Sequence, residues 1–171
     1  MKPASELIGN HRKTGAVAWV GLSPGPKMDI NIVNSAQAEV GTGLIGDHHA
    51  RSGKSKRQVT IIQAEHLDTV SAILGQEVTP QQTRRNLVVG GINLYALRHA
   101  QFQVGEAVLQ GTGICDPCNR MEQNLGHGAL NAMRGHGGIT AKVISSGKIS
   151  IGDPVTFLSN SDGFTLKSDM H

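Results

Sequence analysis

QFQVGEAVLQ, residues 101–110, is the stretch that decides the fold. Polar and apolar residues alternate through it at the two-residue period of a half-buried strand. Gly105-Glu106 supplies a turn, so the stretch reads as a β-hairpin. Downstream, ITAKVISSGKISIGDPVTF (139–157) repeats the pattern with a turn at Ser146-Gly147 and reads as a second hairpin. Upstream, TGAVAWVGLSP (14–24), QVTIIQ (58–63) and NLVVGGINL (86–94) are short apolar runs bounded by turn residues, each read as a strand. PGPKMDINIVNSAQAEVGTG (24–43) reads as a loop entering a short strand.

Helical spacing is confined to brief pieces. In AEHLDTVSAIL (64–74), Leu67, Val70, Ile73 and Leu74 fall on one face, and Gly75 follows as a C-terminal cap. VTPQQTRR places Thr79 as an N-cap and Pro80 at the first helical position. CNRMEQNLGHGALNAMRG reads as two short helices broken at Gly126–Gly128. The tail after residue 158 is polar, with a frayed end expected. With no repeat and no linker, the 171 residues are one domain: mainly β, a single-domain β-barrel with short helices.

Composition excludes several classes. A hydrophobic content of 38% with 17% charged residues is too apolar for a disordered chain. No apolar run is long enough to span a bilayer, and MKPASELIGNHRKTG lacks the apolar segment of a signal peptide, so no membrane association is expected and the chain reads as cytoplasmic. The net charge of +3 is mild, but Arg51, Lys54, Lys56 and Arg57 are clustered, and Arg84-Arg85 follow. One Trp, one Tyr and three Phe leave little for bases to stack on, so no nucleic-acid partner is expected and a small anion fits better.

The chemistry centres on GTGICDPCNRMEQNLGHG (111–128), which holds both cysteines, Cys115 and Cys118. In a reducing compartment a C-x-x-C pair suggests metal or catalytic work rather than a structural disulfide. Cys118, after Pro117 and before a helical piece, stands where the helix dipole favours a thiolate, whereas Asp116 opposes it. Cys115 suits a packed position at a strand end. Cys115, Cys118, His127 and His136 also form a Cys₂His₂ set, although at unusual spacing for zinc. A dithiol redox pair lacks the βαβ context that such motifs need. GLIGDHHARSGKSKRQ (43–58) puts glycines, two histidines and four cations on one loop, without the spacing of a P-loop. One of Arg84 and Arg85 is expected at the surface.

Five segments, in this order, resemble the MOSC domain, named for the C-terminal domain of molybdenum cofactor sulfurase. They are GTGLIGDHH, RQVTIIQAEHLD, TRRNLVVGGINL, VGEAVLQGTGICDPCNRME and MRGHGGITAKVISSGKISIGDPV. They run from Gly41 to Val155, within a domain core read as roughly residues 14 to 157, and the likeness is to stand-alone bacterial members. The resemblance implies a β-barrel that binds the molybdenum–molybdopterin cofactor (Moco), with Cys118 as the thiolate ligand to molybdenum. It also implies cofactor binding by Asp47, His48, Arg57, Arg84 and Asn86. His49 makes a double histidine where the family pattern carries a Gly-Asp-x-His-like step.

The activity it implies is an oxidoreductase that reduces N-hydroxylated compounds to amines. Two cysteines could not hold an iron–sulfur cluster, so electrons are expected to come from a separate redox partner protein. The alternative is a carrier that holds a persulfide on Cys118 and delivers sulfur during metal–sulfur cluster or cofactor biosynthesis. Pyridoxal phosphate is not expected in this chain. A homodimer is compatible with a small barrel of this kind.

Overall fold

The structure is a computed structural model, described here over residues 1–50 and 53–161. Arg51, the polar tail from residue 162 and His171 lie outside the described residues. Among the described residues, eleven strands, five α-helices and a 3-10 turn at Leu94–Leu97 follow one another. The strands are β1 (Gly15–Leu22), β2 (Asn31–Val33), β3 (Ser35–Glu39), β4 (Gly43–Leu44), β5 (Val59–Gln63), β6 (Leu87–Gly90), β7 (Ala100–Val104), β8 (Ala107–Ile114), β9 (Ile139–Ser145), β10 (Gly147–Ser150) and β11 (Pro154–Asn160). The helices are α1 (Ala4–Leu7), α2 (Ala64–Leu74), α3 (Pro80–Thr83), α4 (Asn119–Leu125) and α5 (Ala129–Met133).

Seven strands close into a barrel in the order β1-β11-β7-β8-β9-β5-β6, with β6 returning to β1. The 101–110 stretch is the β7–β8 hairpin, with Phe102 opposite Leu109 and both fully buried. Every pairing in the barrel is antiparallel except β5–β6, which is parallel and joined through α2 and α3. A parallel pair needs such a crossover and is covered on both faces. The residues comply: Val59, Ile61, Leu87 and Val89 point into the barrel, whereas Ile62 and Val88 pack outward against the helices. That outer layer also includes Leu67 and Val70 of α2, Met121 and Leu125 of α4, and Met133 of α5.

Two expectations are corrected. Residues 139–157 do not form a hairpin. β9 pairs with β8 and β5, whereas β10 leaves the barrel to pair with β3 in a small β10-β3-β4 sheet. The reason is local. Gly147 passes so close to the β7–β8 turn that a side chain there would meet the Glu106 backbone. The Glu106 amide and the Lys148 carbonyl bond across that contact at 3.1 Å. The segment 24–43 therefore contributes β2 as well as β3, and Ala36, Ala38 and Ile149 join the barrel core. In α2, Leu67 and Val70 are buried as expected and Leu74 packs partly, but Ile73 is 58% exposed. Gly75 ends the helix in the left-handed conformation, and Thr79 and Gln82 form a capping box at α3.

Candidate functional site

The site is assembled where the turn after β4, the start of β6 and the β8–α4 junction meet. Its foundation is Asp47, whose side chain is almost wholly buried. One carboxylate oxygen accepts the Ser23 amide and the Asn86 Nδ2, each at 2.8 Å. The other accepts the His49 amide at 3.0 Å and its ring Nδ1 at 2.9 Å. Asn86 is equally committed. Its Oδ1 accepts from the Thr60 amide, and its Nδ2 also reaches the Gly21 carbonyl. Asp47 and Asn86 thus lie beneath the site and tie β1, β5, β6 and the histidine turn together. Burial pushes the Asp47 carboxyl upward, but bonds from the His49 ring, the Ser23 amide and the His49 amide, with the histidine's charge, hold it below its usual range.

Each histidine of the pair has a defined tautomer. The His49 Nδ1 faces a carboxylate, and the His48 Nδ1 lies 3.0 Å from the Ser23 carbonyl. Both partners can only accept, so both Nδ1 atoms carry the hydrogen and each Nε2 remains for other use. The rings lie 3.8 Å apart between centroids.

The two arginines divide between interior and surface. Arg85 is the buried one, 4% exposed, donating through Nε to the Gly137 carbonyl at 2.9 Å, through Nη1 to Thr83 and through Nη2 to Cys115. Arg84 is partly exposed and, among the described residues, is the non-glycine residue with positive φ, at 56°. Its guanidinium binds the Met28 carbonyl, the Ser23 hydroxyl and the Gly25 carbonyl, pinning the loop after β1. Burial lowers its proton affinity and the neighbouring Arg120 lowers it further, with Asp47 and Asp29 offsetting part of that.

These elements enclose a cavity of ≈ 70 Å³ onto which Cys118, Arg57, Arg84, Arg85 and Arg120 all face, with His48 and His49. Cys118 is exposed and stands at the N-cap of α4; Cys115 is fully buried, and both are free thiols. Among the described residues, none of the four guanidiniums is ion-paired with a carboxylate. A far larger, open depression of ≈ 700 Å³ lies between His11–Lys13 and Gly91–Asn93. No cysteine lines it, whereas Cys118 lines the smaller cavity and also an open depression of ≈ 520 Å³ with Pro117, Asn119, Arg120, Gln123 and Leu130.

The Cys₂His₂ set is not assembled. Cys115 is inside, the His127 side chain is fully exposed 3.9 Å from Glu122, and the His136 ring packs on His66 with centroids 5.0 Å apart. Asp47, His48 and His49 do bring ligand atoms within 4.8 Å of one another. Four guanidiniums around them disfavour a free divalent cation there and favour an anion. Sequence reasoning missed Arg120 and the Asp47–His49 bond. The spacing Cys118-Asn119-Arg120 at a helix start is the signal that could have found the former.

Comparison with known proteins agrees with this architecture. The MOSC domain family matches residues 47–156, and the chain belongs to it. Among solved structures it is similar to the YuaD protein of Bacillus subtilis, at 19% identity and a TM-score of 0.74, covering 88% of this chain and 99% of that one. It is also similar to YiiM from Geobacillus stearothermophilus, at 15% identity and a TM-score of 0.71, covering 87% of this chain and 77% of that one. For YiiM from Escherichia coli the values are 20% and 0.64, with 89% and 74% covered. At these identities the likenesses establish the fold. No curated protein matches the chain.

Proposed function

We propose that the protein binds the molybdenum–molybdopterin cofactor at the Cys118 cavity and reduces N-hydroxylated compounds to amines, with electrons from a separate redox partner protein. One observation carries the reading: an exposed thiol facing a cavity with four arginines that have no carboxylate partner among the described residues. The donor set fits the group. A soft thiolate suits molybdenum, and uncompensated guanidiniums suit an anionic pterin phosphate.

When bound, the cofactor would supply the two-electron, oxygen-accepting chemistry. Cys118 would hold the metal, with Arg57 and Arg84 available to the anionic end. Asp47 and Asn86 position the site from below rather than touching what enters it. Converting N–OH to N–H takes two electrons and two protons and releases water. With its Nδ1 hydrogen committed to Asp47, His49 exchanges protons through Nε2 beside the cavity. The test is turnover of an amidoxime with an electron donor supplied. Cys118→Ser should keep its fold and lose activity by at least about a hundredfold, and full activity in that variant would refute the reading.

The exposure of Cys118 also favours a second reading, a persulfide carrier that needs no molybdenum. A labile extra sulfur on Cys118 in metal-free protein, seen by mass spectrometry, would put that reading first.

A further inference from the structure

Beside the Cys118 cavity lies a second one of ≈ 250 Å³, lined by Pro26, Lys27, Arg84, Arg120, Gln123 and Asn124. The two cavities share Arg84 and Arg120 as a common wall. We propose that this second cavity is the recognition site for an anionic group, a carboxylate or phosphate, carried by the substrate, whose other end then reaches the Cys118 cavity. The inference rests on the cofactor reading for the identity of the reaction, but not for the anion site itself.

Three features carry it. The guanidiniums of Arg84 and Arg120 lie close enough for the charge of Arg120 to lower the proton affinity of Arg84, and each is held in place by backbone: Arg120 by the Pro26 carbonyl at 2.8 Å, Arg84 by Met28 and Gly25. Like charges fixed together cost free energy unless something of opposite sign joins them. Among the described residues no carboxylate lies within ion-pair distance of Arg84, Arg120 or Lys27. The remaining walls are amides. Gln123 lines the cavity, and Asn124 is oriented by donating to the Gln82 carbonyl at 3.0 Å. Amides together with guanidiniums give the donor-rich, planar geometry that carboxylate and phosphate oxygens match.

The probe is inorganic phosphate, titrated calorimetrically into the full chain purified from cells that make no Moco. Lys27→Gln and Arg120→Gln should each weaken binding by roughly tenfold, the loss of one charge-assisted contact. Lys148→Gln, on the remote β10 strand, should leave it unchanged. Unchanged affinity in Lys27→Gln, with loss only in Arg57→Gln, would put the anion in the Cys118 cavity and overturn the proposal.

Cofactor-loaded protein separates the two sources of anion. Persistent phosphate binding there, competed by a carboxylate-bearing amidoxime and not by its neutral parent, supports a substrate site. Loss of phosphate binding on loading would assign the cavity to the cofactor's own phosphate and refute it. In turnover, Lys27→Gln should raise KM for the carboxylate-bearing amidoxime and leave KM for the neutral one unchanged. A chain that takes up no molybdenum but binds phosphate through Lys27 and Arg120 would refute the cofactor reading alone and leave the anion site standing.

Discussion

Asp47 shows how much of the site hangs on one side chain. Its two oxygens receive four hydrogen bonds from Ser23, Asn86 and His49. Asp47→Asn replaces an acceptor with a donor that faces other donors, so the variant should be destabilised by about 2 kcal/mol in urea unfolding. The pH dependence follows from the depressed carboxyl. An unfolded Asp titrates near about 3.9, and the folded group titrates lower. Its stabilisation is therefore present above that unfolded value and is lost as pH falls through the folded one. Below about pH 4 the wild-type protein should lose stability more steeply than Asp47→Asn.

At this scale the sequence was readable where chemistry is carried by residue type. Cys118, Arg57 and Arg84 face one cavity, and Cys115 is packed inside. It was not readable where a role depends on direction. Nothing in Asp-His-His says which ring takes the carboxylate, and nothing in Arg-Arg says that the second is the buried one. Tertiary contacts make those choices: Arg85 points inward and donates to the Gly137 and Cys115 carbonyls, and His49 takes the Asp47 carboxylate.

Among the elements, the joint between β8 and β9 is the tightest. Gly138 has a φ of 88°, and a side chain there would be driven into the Ile61 carbonyl of β5. Gly138→Ala should cost more than about 3 kcal/mol, through backbone clash and left-handed strain together. Gly135→Ala, also at positive φ but with open space around it, should cost about 1 kcal/mol. Thermal unfolding of the two variants side by side checks the contrast.

The packing of α2 on α5 brings His66 against His136, and desolvation, then the charge of His136, lower the His66 proton affinity despite Glu65. The unfolded imidazole, near about 6.5, then binds a proton that the folded one resists. Stability should fall as pH drops from there toward the lowered folded value, and His66→Gln should flatten that slope when urea midpoints at about pH 7.5 and 5.5 are compared. Period and punctuation made most elements legible, the β7–β8 hairpin and the helix caps above all. The Ser146-Gly147 turn misled because a hairpin and a strand that switches sheets share the same local pattern. The distinguishing contact, Gly147 against Glu106, lies forty-one residues away in the chain and leaves no local mark.

As a whole the molecule is a closed seven-stranded barrel with helices laid over its one parallel strand pair, and that layer is what brings α4, with Cys118 at its start, beside β6. Among the described residues no helix is long and apolar enough to cross a membrane. Lys27, Arg57, Arg84, Arg85 and Arg120 are gathered on one side of that layer, where two adjoining cavities open. Clustering of this kind joins positions distant in sequence, 23–27, 48–49, 57, 84–85 and 118–124, which is why no linear motif displayed it. The most direct measurement is the molybdenum and pterin content of protein purified from Moco-producing cells, beside that of Cys118→Ala. Near-stoichiometric molybdenum that falls sharply in the variant, with the fold intact, is the predicted result. Protein without molybdenum in both, or molybdenum retained equally without the thiol, would contradict a cofactor held by Cys118.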